Sequence, residues 1–500
     1  MQLTFRRVVA LGSTLSLLAA FWLTPPHVQA QRASPDALPF PLVMTVEESA
    51  NLVQAIRDRR LYVSGEVLVK FRDGYESIAQ ARALSVLRTG ATPSWRWIGD
   101  TLLVHSDAEP NAEAMSAILA AQPEVEWAQP NHILRTSATP NDTSYSRQWN
   151  MGLINMPVAW DISQGGSSSV TVAVVDGGIN ATTTSYPFPL WNGTAVVTTN
   201  VPFGQNPDIA SSRIVGGRDF IFWTGPVLDM DGHGTHVAGT VLQETNNSLG
   251  YAGIAYASRL MPVKVCVGSW ELQIVQSNAN IPGFVDPDDG GCLTSSIVAG
   301  IRYAADNGAN VINLSLGGPG QSPAILDAIR YAVQRGVFVA IAAGNSFEDG
   351  NPVEYPAAYG PQVDGAMTVG AVGRSRRRAY YSGTGTYIEV AAPGGDVRDG
   401  GVPGLVYQAG LFFPDFNPRQ VMAPRFDRYT DVPNQGTSMA SPHVAGVAAL
   451  LYARGITNPA AIEAAIRQFA IDLGATGKDD EFGYGLVDAR AALRGLGVAR

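Results

Sequence analysis

Cysteine, histidine and charged residues are all scarce in this chain. Two of its 500 residues are cysteine, six are histidine, and charged residues make up 15%. The cysteines have neither CxxC nor metal-ligand spacing, which leaves one disulfide or two free thiols. A positive excess is missing as well, because the net charge is -9. This balance argues against nucleic acid or an anionic membrane as the main partner.

Long apolar runs are equally rare, and the one at 8–23 lies next to the N-terminus. Arg6 and Arg7 precede this run, and a small-x-small cleavage pattern ends at Ala30. The pattern predicts a signal peptide over residues 1–30. An uncleaved anchor is the alternative, although the run is short for a membrane-spanning helix. No later segment is apolar enough to span a bilayer, so we expect a secreted protein without a membrane anchor, with the periplasm as the alternative location.

Secretion bears on the two cysteines, because disulfides persist in oxidising compartments. It favours a bond between Cys266 and Cys292, which would close a segment at 268–291 that is rich in Gly and Asp. Such a bond would stabilise the loop between them.

Residues before about 145 predict a small domain of their own. We expect a loose leader from 31 to about 60 and a linker at 136–142, where Ser, Thr, Pro and Asn dominate. Between them, alternating apolar residues predict strands and helices in the order β-α-β-α-β, at 66–71, 78–87, 101–104, 112–121 and 125–128. This arrangement is a small α+β domain.

The rest of the chain alternates short apolar runs with helical patterns. The strands are predicted at 170–175, 260–265, 311–316, 337–342, 367–372 and 388–391. Helices are predicted at 295–307 and 324–335, each closed by glycine. Continuous apolar strands that alternate with helices predict a doubly wound α/β fold around a mostly parallel sheet. Long insertions are expected at 181–212, 268–291 and 397–432.

Three polar residues stand out against this fold. Asp176 ends the first buried strand, where side chains of open α/β sheets point into a ligand crevice; a turn aspartate is the alternative. His233 lies between glycines at the start of a small-residue helix. Ser438 precedes an apolar helix, whose N-terminal N–H groups favour an oxyanion, although an ordinary N-cap would look the same. Together they supply an orienting acid, a base and a nucleophile.

Two other histidines do not fit this role. His236 follows His233 by three residues, whereas the zinc-protease pattern needs a spacing of four with a glutamate between. His443 lies about 140° around the helix from Ser438, so we expect it to serve packing. We therefore predict no catalytic metal.

The chain order Asp…His…Ser is that of subtilisin. Residues 176–179, 231–236 and 436–443 resemble the three active-site blocks of subtilisin-like serine proteases. The resemblance implies a seven-stranded parallel sheet and a secreted serine endopeptidase that acts on proteins or peptides. Ala342-Ala343-Gly344-Asn345 resembles the block whose asparagine binds the oxyanion, together with the Ser438 N–H. Ser315-Leu316-Gly317 resembles the strand that pairs with substrate, although a plain core strand is the alternative.

The same resemblance covers the N-terminal region. Residues 123–131 are similar to the last strand of the family's inhibitory prodomain, which would leave its tail in the cleft. We therefore divide the chain into a propeptide at 31–137, with an inhibitor-like domain at about 61–134, and a peptidase domain at 138–500. In this interpretation the enzyme is a self-processing zymogen and a monomer, and its own prodomain is its intramolecular inhibitor.

The resemblance also implies Ca²⁺ as a structural cofactor. The segment 246–250 is similar to the family's calcium loop, which indicates Asn247 as a ligand together with Thr245, Leu249 and Tyr251. The region after Asp176 shows no aspartate where the family supplies a carboxylate, and Ca²⁺ prefers charged oxygen ligands. A calcium-free turn is therefore the alternative to a structural Ca²⁺ site.

Specificity is predicted from one unusual residue. Residues 353–359 resemble the block that forms the floor of the first specificity pocket, and Glu354 stands where glycine is frequent. A carboxylate there would attract Arg or Lys. A self-cleavage hazard at 374–378, which holds four arginines, argues against this preference, and Glu354 turned to solvent is the alternative.

Two other function classes remain. A catalytically dead binding protein on the same fold is disfavoured because all three residues and Asn345 are present. A different acyl transfer is the second, but the Gly-Thr-Ser-Met context is not the Gly-x-Ser-x-Gly elbow of α/β hydrolases.

Overall fold

The computed structural model of the chain describes residues 46–58, 60–72, 85–87, 94–106, 111–133, 139–222, 225–412 and 423–495. The predicted signal peptide and the end of the predicted propeptide, 134–137, lie outside these ranges. Within the described ranges, no helix combines the length and the apolar character that crossing a membrane requires. The described residues 46–54 belong to one compact unit, and those from Ala55 onward belong to another.

The prediction of a loose leader to about residue 60 is wrong for its last part. Helix α1 spans Val46–Arg57. Glu48 near its start and Arg57 in its last turn have the charges that the helix dipole favours at each end. Leu52, Val53 and Ile56 follow a helical spacing that the leader prediction overlooked.

A small antiparallel sheet follows, with an α-helix packed on one face. Its elements are β1 (Tyr62–Phe71), β2 (Ser94–Ile98), β3 (Thr101–His105), α2 (Ala112–Ala120) and β4 (Val125–His132), and the strand order is β2-β3-β1-β4. Val67, Val69 and Phe71 of β1 face the helix in a common core. The sequence missed β2, an edge strand whose Trp95 and Trp97 remain about half exposed. The helix predicted at 78–87 lies almost wholly outside the described residues.

The larger domain is built on a seven-stranded parallel sheet, as predicted. Its strands are β5 (Thr171–Asp176), β8 (Arg218–Asp219), β9 (Arg259–Lys264), β12 (Val311–Leu314), β13 (Phe338–Ala342), β14 (Ala366–Val372) and β15 (Val390–Pro393). The order across the sheet is β15-β14-β13-β12-β5-β9-β8. Strand β8, with two residues, is too short to leave an apolar pattern in the sequence.

Helices cover both faces of this sheet. They are α3 (Trp149–Leu153), α4 (Met156–Ser163), α5 (His233–Leu242), α6 (Ser269–Asn278), α7 (Thr294–Asp306), α8 (Pro323–Gln334), α9 (Thr437–Ala453), α10 (Pro459–Gln468) and α11 (Ala489–Gly495). Val172 and Val174 of β5 pack in the same cluster as α5 and α9. The alternate residues Ala173 and Val175 pack with α7 and α8 on the opposite face. The doubly wound fold follows from this alternation.

The three predicted insertions contain secondary structure of their own. The first is a hairpin of β6 (Thr184–Trp191) and β7 (Val196–Phe203), and the third a hairpin of β16 (Val406–Leu411) and β17 (Tyr429–Asn434). In the second, α6 lies between two short paired strands, β10 (Cys266–Val267) and β11 (Gly291–Cys292).

Candidate active site

A cleft of about 460 Å³ contains the three residues that the sequence singled out, Asp176, His233 and Ser438. Asp176 is the last residue of β5, His233 the first of α5, and Ser438 the second of α9. The carboxyl ends of parallel strands meet at one edge of the sheet, and the two helices begin there. The fold therefore brings together residues that are up to 262 positions apart in the sequence (438 − 176).

Asp176 and His233 form a hydrogen bond in which the carboxylate is buried and the imidazole is partly exposed. Nδ1 of His233 lies 2.8 Å from Oδ1 of Asp176, and Asp176 is only 2% exposed. Burial by itself lowers the pKa of His233, but the charge and hydrogen bond of Asp176, with Asp231 and Asp229, outweigh it and raise the pKa to about 9. Because Nδ1 bonds to a carboxylate, Nε2 is left to exchange a proton at the cleft.

Asp229 holds the loop that carries His233. It is fully buried, and its Oδ1 accepts hydrogen bonds from the N–H groups of Asp231 and Gly232. Its Oδ2 accepts from the N–H and the hydroxyl of Thr235, in the first turn of α5. Sequence reasoning missed Asp229; an aspartate just before a helix that starts with a histidine was the available signal.

A buried ion pair supports the acid end of the cleft. Lys264 lies beside Asp176 in the sheet, and its Nζ is 2.8 Å from Oε1 of Glu271 on α6. The same Nζ donates to the carbonyl of Gly177. Burial lowers the pKa of Lys264, but Glu271 and neighbouring aspartates more than offset it, so the pKa is raised. The ion pair therefore connects the second insertion to the strand that lies next to Asp176.

Ser438 lies in the first turn of α9, which begins after Gly436. Gly436 has φ 148°, a conformation that side chains disfavour. The Ser438 hydroxyl donates to the carbonyl of Ser315 at 3.3 Å, and the Ser315 hydroxyl donates back to the Ser438 carbonyl at 2.8 Å. The predicted substrate strand and the predicted nucleophile are therefore tied together directly.

Asn345 is oriented by Thr437, a contact that the sequence did not indicate. Its Oδ1 accepts from the Thr437 N–H at 2.9 Å and from the Thr437 hydroxyl at 3.0 Å. The hydroxyl in turn accepts from the N–H of Gly344 at 3.0 Å. Because the amide oxygen is fixed by an N–H donor, the side-chain NH₂ is left free to donate towards the cleft.

Glu354 lies at the cleft and does not turn to solvent. It is 8% exposed and lines the cleft with Ser315, Leu316 and Gly317. Its Oε1 accepts from the N–H groups of Asn345 at 3.0 Å and Ser346 at 3.2 Å.

Gly344 makes this position of Glu354 sterically possible. It has φ 102°, and a Cβ at residue 344 would collide with the carboxyl group of Glu354. The position predicted to form the floor of the specificity pocket therefore holds a carboxylate. The carboxylate fits there only because residue 344 has no side chain.

The second insertion forms another wall of the cleft. Cys266 and Cys292 are joined by a disulfide, as predicted, and pair directly across β10 and β11. Both cysteines line the cleft, together with Asp288 and Asp289. This wall follows β9 and the Ser315–Gly317 wall follows β12, on either side of β5.

The remaining two histidines of the motifs are structural. His236 Nε2 lies 3.1 Å from the carbonyls of both Val406 and Val432, in the β16–β17 hairpin. His443 contacts Asn150 at 2.8 Å and the Met439 carbonyl at 2.8 Å. Burial lowers the pKa of each to about 4. Among the described residues, no group of three or more His, Cys, Asp and Glu side chains is placed to hold a metal ion.

The predicted calcium loop at 245–251 is held by two buried carboxylates. Asp208 accepts from the Asn247 side chain at 2.8 Å and from the Tyr251 N–H at 3.0 Å. Asp142 accepts from the N–H groups of Asn246 at 3.0 Å and Asn247 at 3.3 Å. Burial outweighs the hydrogen bonds of Asp208 and raises its pKa to about 7.

Two sequence predictions need correction here. An acidic residue after Asp176 does reach the loop, since Asp208 lies beyond the β6–β7 hairpin that displaces it along the chain. Asp142, predicted as linker, is 5% exposed and part of the fold. Two buried carboxylates among loop oxygens fit Ca²⁺, a hard cation that prefers such donors.

Other members of the predicted loop are engaged locally. The Asn247 side-chain oxygen accepts from the Leu249 N–H at 2.9 Å. The Thr245 hydroxyl bonds to the backbone of Gly253.

Comparisons with known proteins show the family to which the chain belongs. Residues 167–485 match the Subtilase family, and residues 48–131 match the Fervidolysin N-terminal prodomain. The chain is 32% identical to a thermophilic serine proteinase of Bacillus sp. (strain AK1) over 482 residues, 96% of this chain and 98% of that protein. It is 33% identical to an extracellular protease of Xanthomonas campestris pv. campestris, over 85% of this chain and 72% of the relative.

A solved structure supports the fold. Fervidolysin from Fervidobacterium pennivorans, a keratinolytic enzyme related to subtilisin, superposes with a TM-score of 0.51 at 24% identity, over 87% of this chain and 61% of that one. This similarity concerns the fold, whereas the family match covers most of the chain. The chain is therefore a member of the subtilase family of serine proteases, and it carries an N-terminal prodomain of the fervidolysin type.

Proposed function

We propose that this protease is a secreted endopeptidase, made as a zymogen, that cleaves peptide bonds with Asp176, His233 and Ser438. The observation that carries the proposal is the hydrogen bond between Asp176 and His233, in the cleft that also contains Ser438. An extracellular relative and the apolar N-terminal run support secretion. The prodomain match supports the zymogen.

In this mechanism His233 moves the proton and Ser438 forms the bond. Rotation about the Cα–Cβ bond turns the Ser438 hydroxyl from the Ser315 carbonyl towards Nε2 of His233. Nε2 takes the proton while the oxygen attacks the scissile carbonyl, and it then gives the proton to the leaving amine. Water repeats the sequence on the acyl-enzyme, which restores Ser438. Asp176 stabilises the imidazolium throughout.

The negative charge of the tetrahedral intermediate falls between two donors. One is the N–H of Ser438, in the first turn of α9, and the other is the side-chain NH₂ of Asn345. The helix α9 holds the Ser438 N–H, and Thr437 fixes the Asn345 amide. Both donors are therefore positioned before the substrate arrives. Donors positioned in advance stabilise charge that develops only in the transition state.

Self-processing is tested with Ser438→Ala, expressed in a protease-deficient host. We expect the variant to accumulate as the full-length precursor, whereas Ser212→Ala, at an exposed serine, matures. Mass spectrometry of the mature N-terminus gives the cleavage site. Maturation of the Ser438→Ala chain at the same bond would contradict self-processing.

We further propose that Glu354 selects Arg or Lys before the scissile bond. The carboxylate keeps one oxygen on two N–H groups and can offer the other to a basic side chain. Large apolar side chains would leave the charge without a partner.

The run at 374–378 does not oppose this specificity, because it is folded back on itself. The Arg377 carbonyl accepts from Gly373, and Arg378 donates to the carbonyl of Ser382 at 2.9 Å and stacks over Phe347. A protease needs an extended substrate segment, which this turn does not provide.

The test compares kcat/KM for matched peptides with Arg, Lys, Phe or Leu before the scissile bond. We expect the basic peptides to be favoured about 10-fold or more, the size of a partly buried charge-assisted hydrogen bond. Glu354→Gln keeps the shape and removes the charge, so it should remove the preference. Equal cleavage after Phe and Leu by the wild type would reject it.

Calcium is proposed as a structural cofactor at the 245–251 loop. Asp208 and Asp142 would supply carboxylates, and Asn247 and loop carbonyls would complete the oxygen set. At a free Ca²⁺ concentration of about 100 times Kd, binding would stabilise the fold by about 2.7 kcal/mol. We expect Ca²⁺ to raise Tm in the wild type and not in Asp208→Asn, with the exposed Asp349→Asn as control. An unchanged wild-type Tm would favour a calcium-free turn.

A further inference from the structure

The cleft carries more negative charge than the proposed chemistry uses. Five of its lining residues are carboxylates, and none of the lining residues is lysine or arginine. Asp176 serves His233, and Glu354 forms the floor near Gly344. The carboxylates that remain are Asp231, Asp288 and Asp289.

Asp288 and Asp289 are presented by a segment with a fixed base. The disulfide between Cys266 and Cys292 closes this segment, and the Glu271–Lys264 ion pair holds its helix. Both aspartates are exposed. Among the described residues, the Asp288 carboxylate has no hydrogen-bond or ion-pair partner.

Asp231 faces the same segment from the histidine loop. A Cβ added at Gly268 would lie 3.1 Å from Cβ of Asp231, so the histidine loop and the second insertion are in contact. Burial, followed by the charge of Asp229, raises the pKa of Asp231 to about 7. His233 offsets only part of this effect. A cation from the substrate would therefore favour the charged form of Asp231.

One peptide can reach both acidic regions. Both acidic regions line the same cleft. An extended peptide advances about 3.3 Å per residue, so side chains at different positions reach different parts of the cleft. Glu354 lies in the segment after β13 and packs against the Ser315–Gly317 wall, whereas Asp288 and Asp289 belong to the wall after β9. A substrate between the walls therefore meets the two acidic regions at different side chains.

We propose that Asp288 and Asp289, together with Asp231, form a second acidic subsite that selects an additional Lys or Arg of the substrate. The substrate class would then be extended segments with clustered basic residues. The inference rests on the proposed peptidase function, but it does not require Glu354 to read the residue before the scissile bond.

The expected effect is modest, because exposed ion pairs are weak. We expect about a fivefold gain in kcat/KM from the additional basic residue, near the upper end for a pair with exposed partners. Charges at the rim of a site act mainly on the association rate and are screened by salt. The gain should therefore shrink at high ionic strength, unlike the preference set by the buried Glu354.

The experiment uses the mature wild-type enzyme and a set of fluorogenic peptides. All share the residue before the scissile bond, and Gln is replaced by Arg at each of the next three upstream positions in turn. The test variant is Asp288→Asn with Asp289→Asn, which keeps the side-chain shape. Its matched control is Asp327→Asn with Asp364→Asn, two exposed aspartates outside the cleft that give the same change of net charge.

We expect one upstream Arg to raise kcat/KM about fivefold in the wild type and the control, and less than twofold in the test variant. Equal cleavage of the Gln and Arg peptides by the wild type, or a gain that survives in the test variant, would overturn the subsite. A wild type that cleaves no peptide would instead contradict the peptidase function. If circular dichroism shows that the double variant does not fold, Asp288→Asn alone gives the same test. We then expect the gain in kcat/KM from the upstream Arg to be partly lost. An unchanged gain would contradict the subsite.

Discussion

The two halves of the cleft are held together by different forces. Around His233 the contacts are ionic and buried, and they involve Asp176, Asp229 and the Lys264–Glu271 pair. Around Ser438 most contacts are neutral hydrogen bonds, such as those of Thr437 with Asn345 and of Ser315 with the Ser438 backbone. In the proposed mechanism His233 must gain and lose a positive charge, so surrounding carboxylates help it. The proposed oxyanion donors only have to stay in place.

This difference implies that pH should act mainly on the histidine half. Substitutions that preserve charge but remove a hydroxyl or an amide should act mainly on the serine half. The carboxylate of Glu354 belongs to the serine half but accepts two backbone N–H groups, so its charge contributes to geometry as well as to specificity.

The largest expected effect comes from removing the charged partner of His233 in the histidine half of the cleft. Asp176→Asn should lower kcat by about 10⁴, because the imidazole loses both its orientation and the stabilisation of its charged form. The variant is matured in trans by wild-type enzyme and assayed for kcat and KM. The exposed Asp349→Asn should behave as wild type. A loss smaller than tenfold would show that Asp176 is not the partner that His233 needs.

Breaking the neutral half should cost less. Asn345→Ala should lower kcat by about 10² to 10³ with little change in KM, since its amide acts only on the transition state. That range was measured on subtilisin, a member of the same family, and is not specific to this chain. Thr437→Val should cost a smaller factor, and Thr437→Ser, which keeps the hydroxyl, should restore activity. Equal losses in Val and Ser variants would assign Thr437 to packing alone.

Opening the disulfide tests the support of the histidine half. The two cysteines are 26 positions apart, and a loop of this size is worth about 3 kcal/mol of unfolding free energy. Cys266→Ser with Cys292→Ser should show this loss in urea unfolding under non-reducing conditions. The wild type in reducing agent is the matched comparison. An unchanged unfolding midpoint would mean that the Glu271–Lys264 pair holds the segment alone.

The smallest effect is a shift in pH dependence. The base must be neutral, and the pKa of His233 is about 9, so kcat/KM should rise with pH up to this value. Asp231→Asn removes a negative charge that raises this pKa, so the rising limb should move to lower pH. Asp288→Asn, on the exposed rim, should leave the limb in place. A limb that stays at the wild-type pH in Asp231→Asn would contradict the coupling.

Most strands of the larger domain, and the three residues proposed to carry out the chemistry, could be predicted from the sequence pattern. Apolar runs located the six longer strands of the sheet, because strands buried on both faces are continuously apolar. The three motif blocks identified Asp176, His233 and Ser438, since each combines a reactive residue with glycines at a strand end or a helix start. The disulfide was predicted from a count of two cysteines and from the apolar N-terminal run, interpreted as a secretion signal.

The contacts that position these residues were decided only by the tertiary structure. Thr437 and Asn345 are 92 residues apart, and Asp208 and Asn247 are 39 apart, with the hairpin before Asp208 hiding it from comparison by spacing. The two-residue strand β8 leaves no apolar period to detect, and the edge strand β2 buries none of its residues. The sequence by itself determined which side chains could react, because reactivity is a property of residue type and local motif. Their orientation, their pKa values and the acidity of the cleft depend on partners distant in the chain, and folding alone brings those partners within reach.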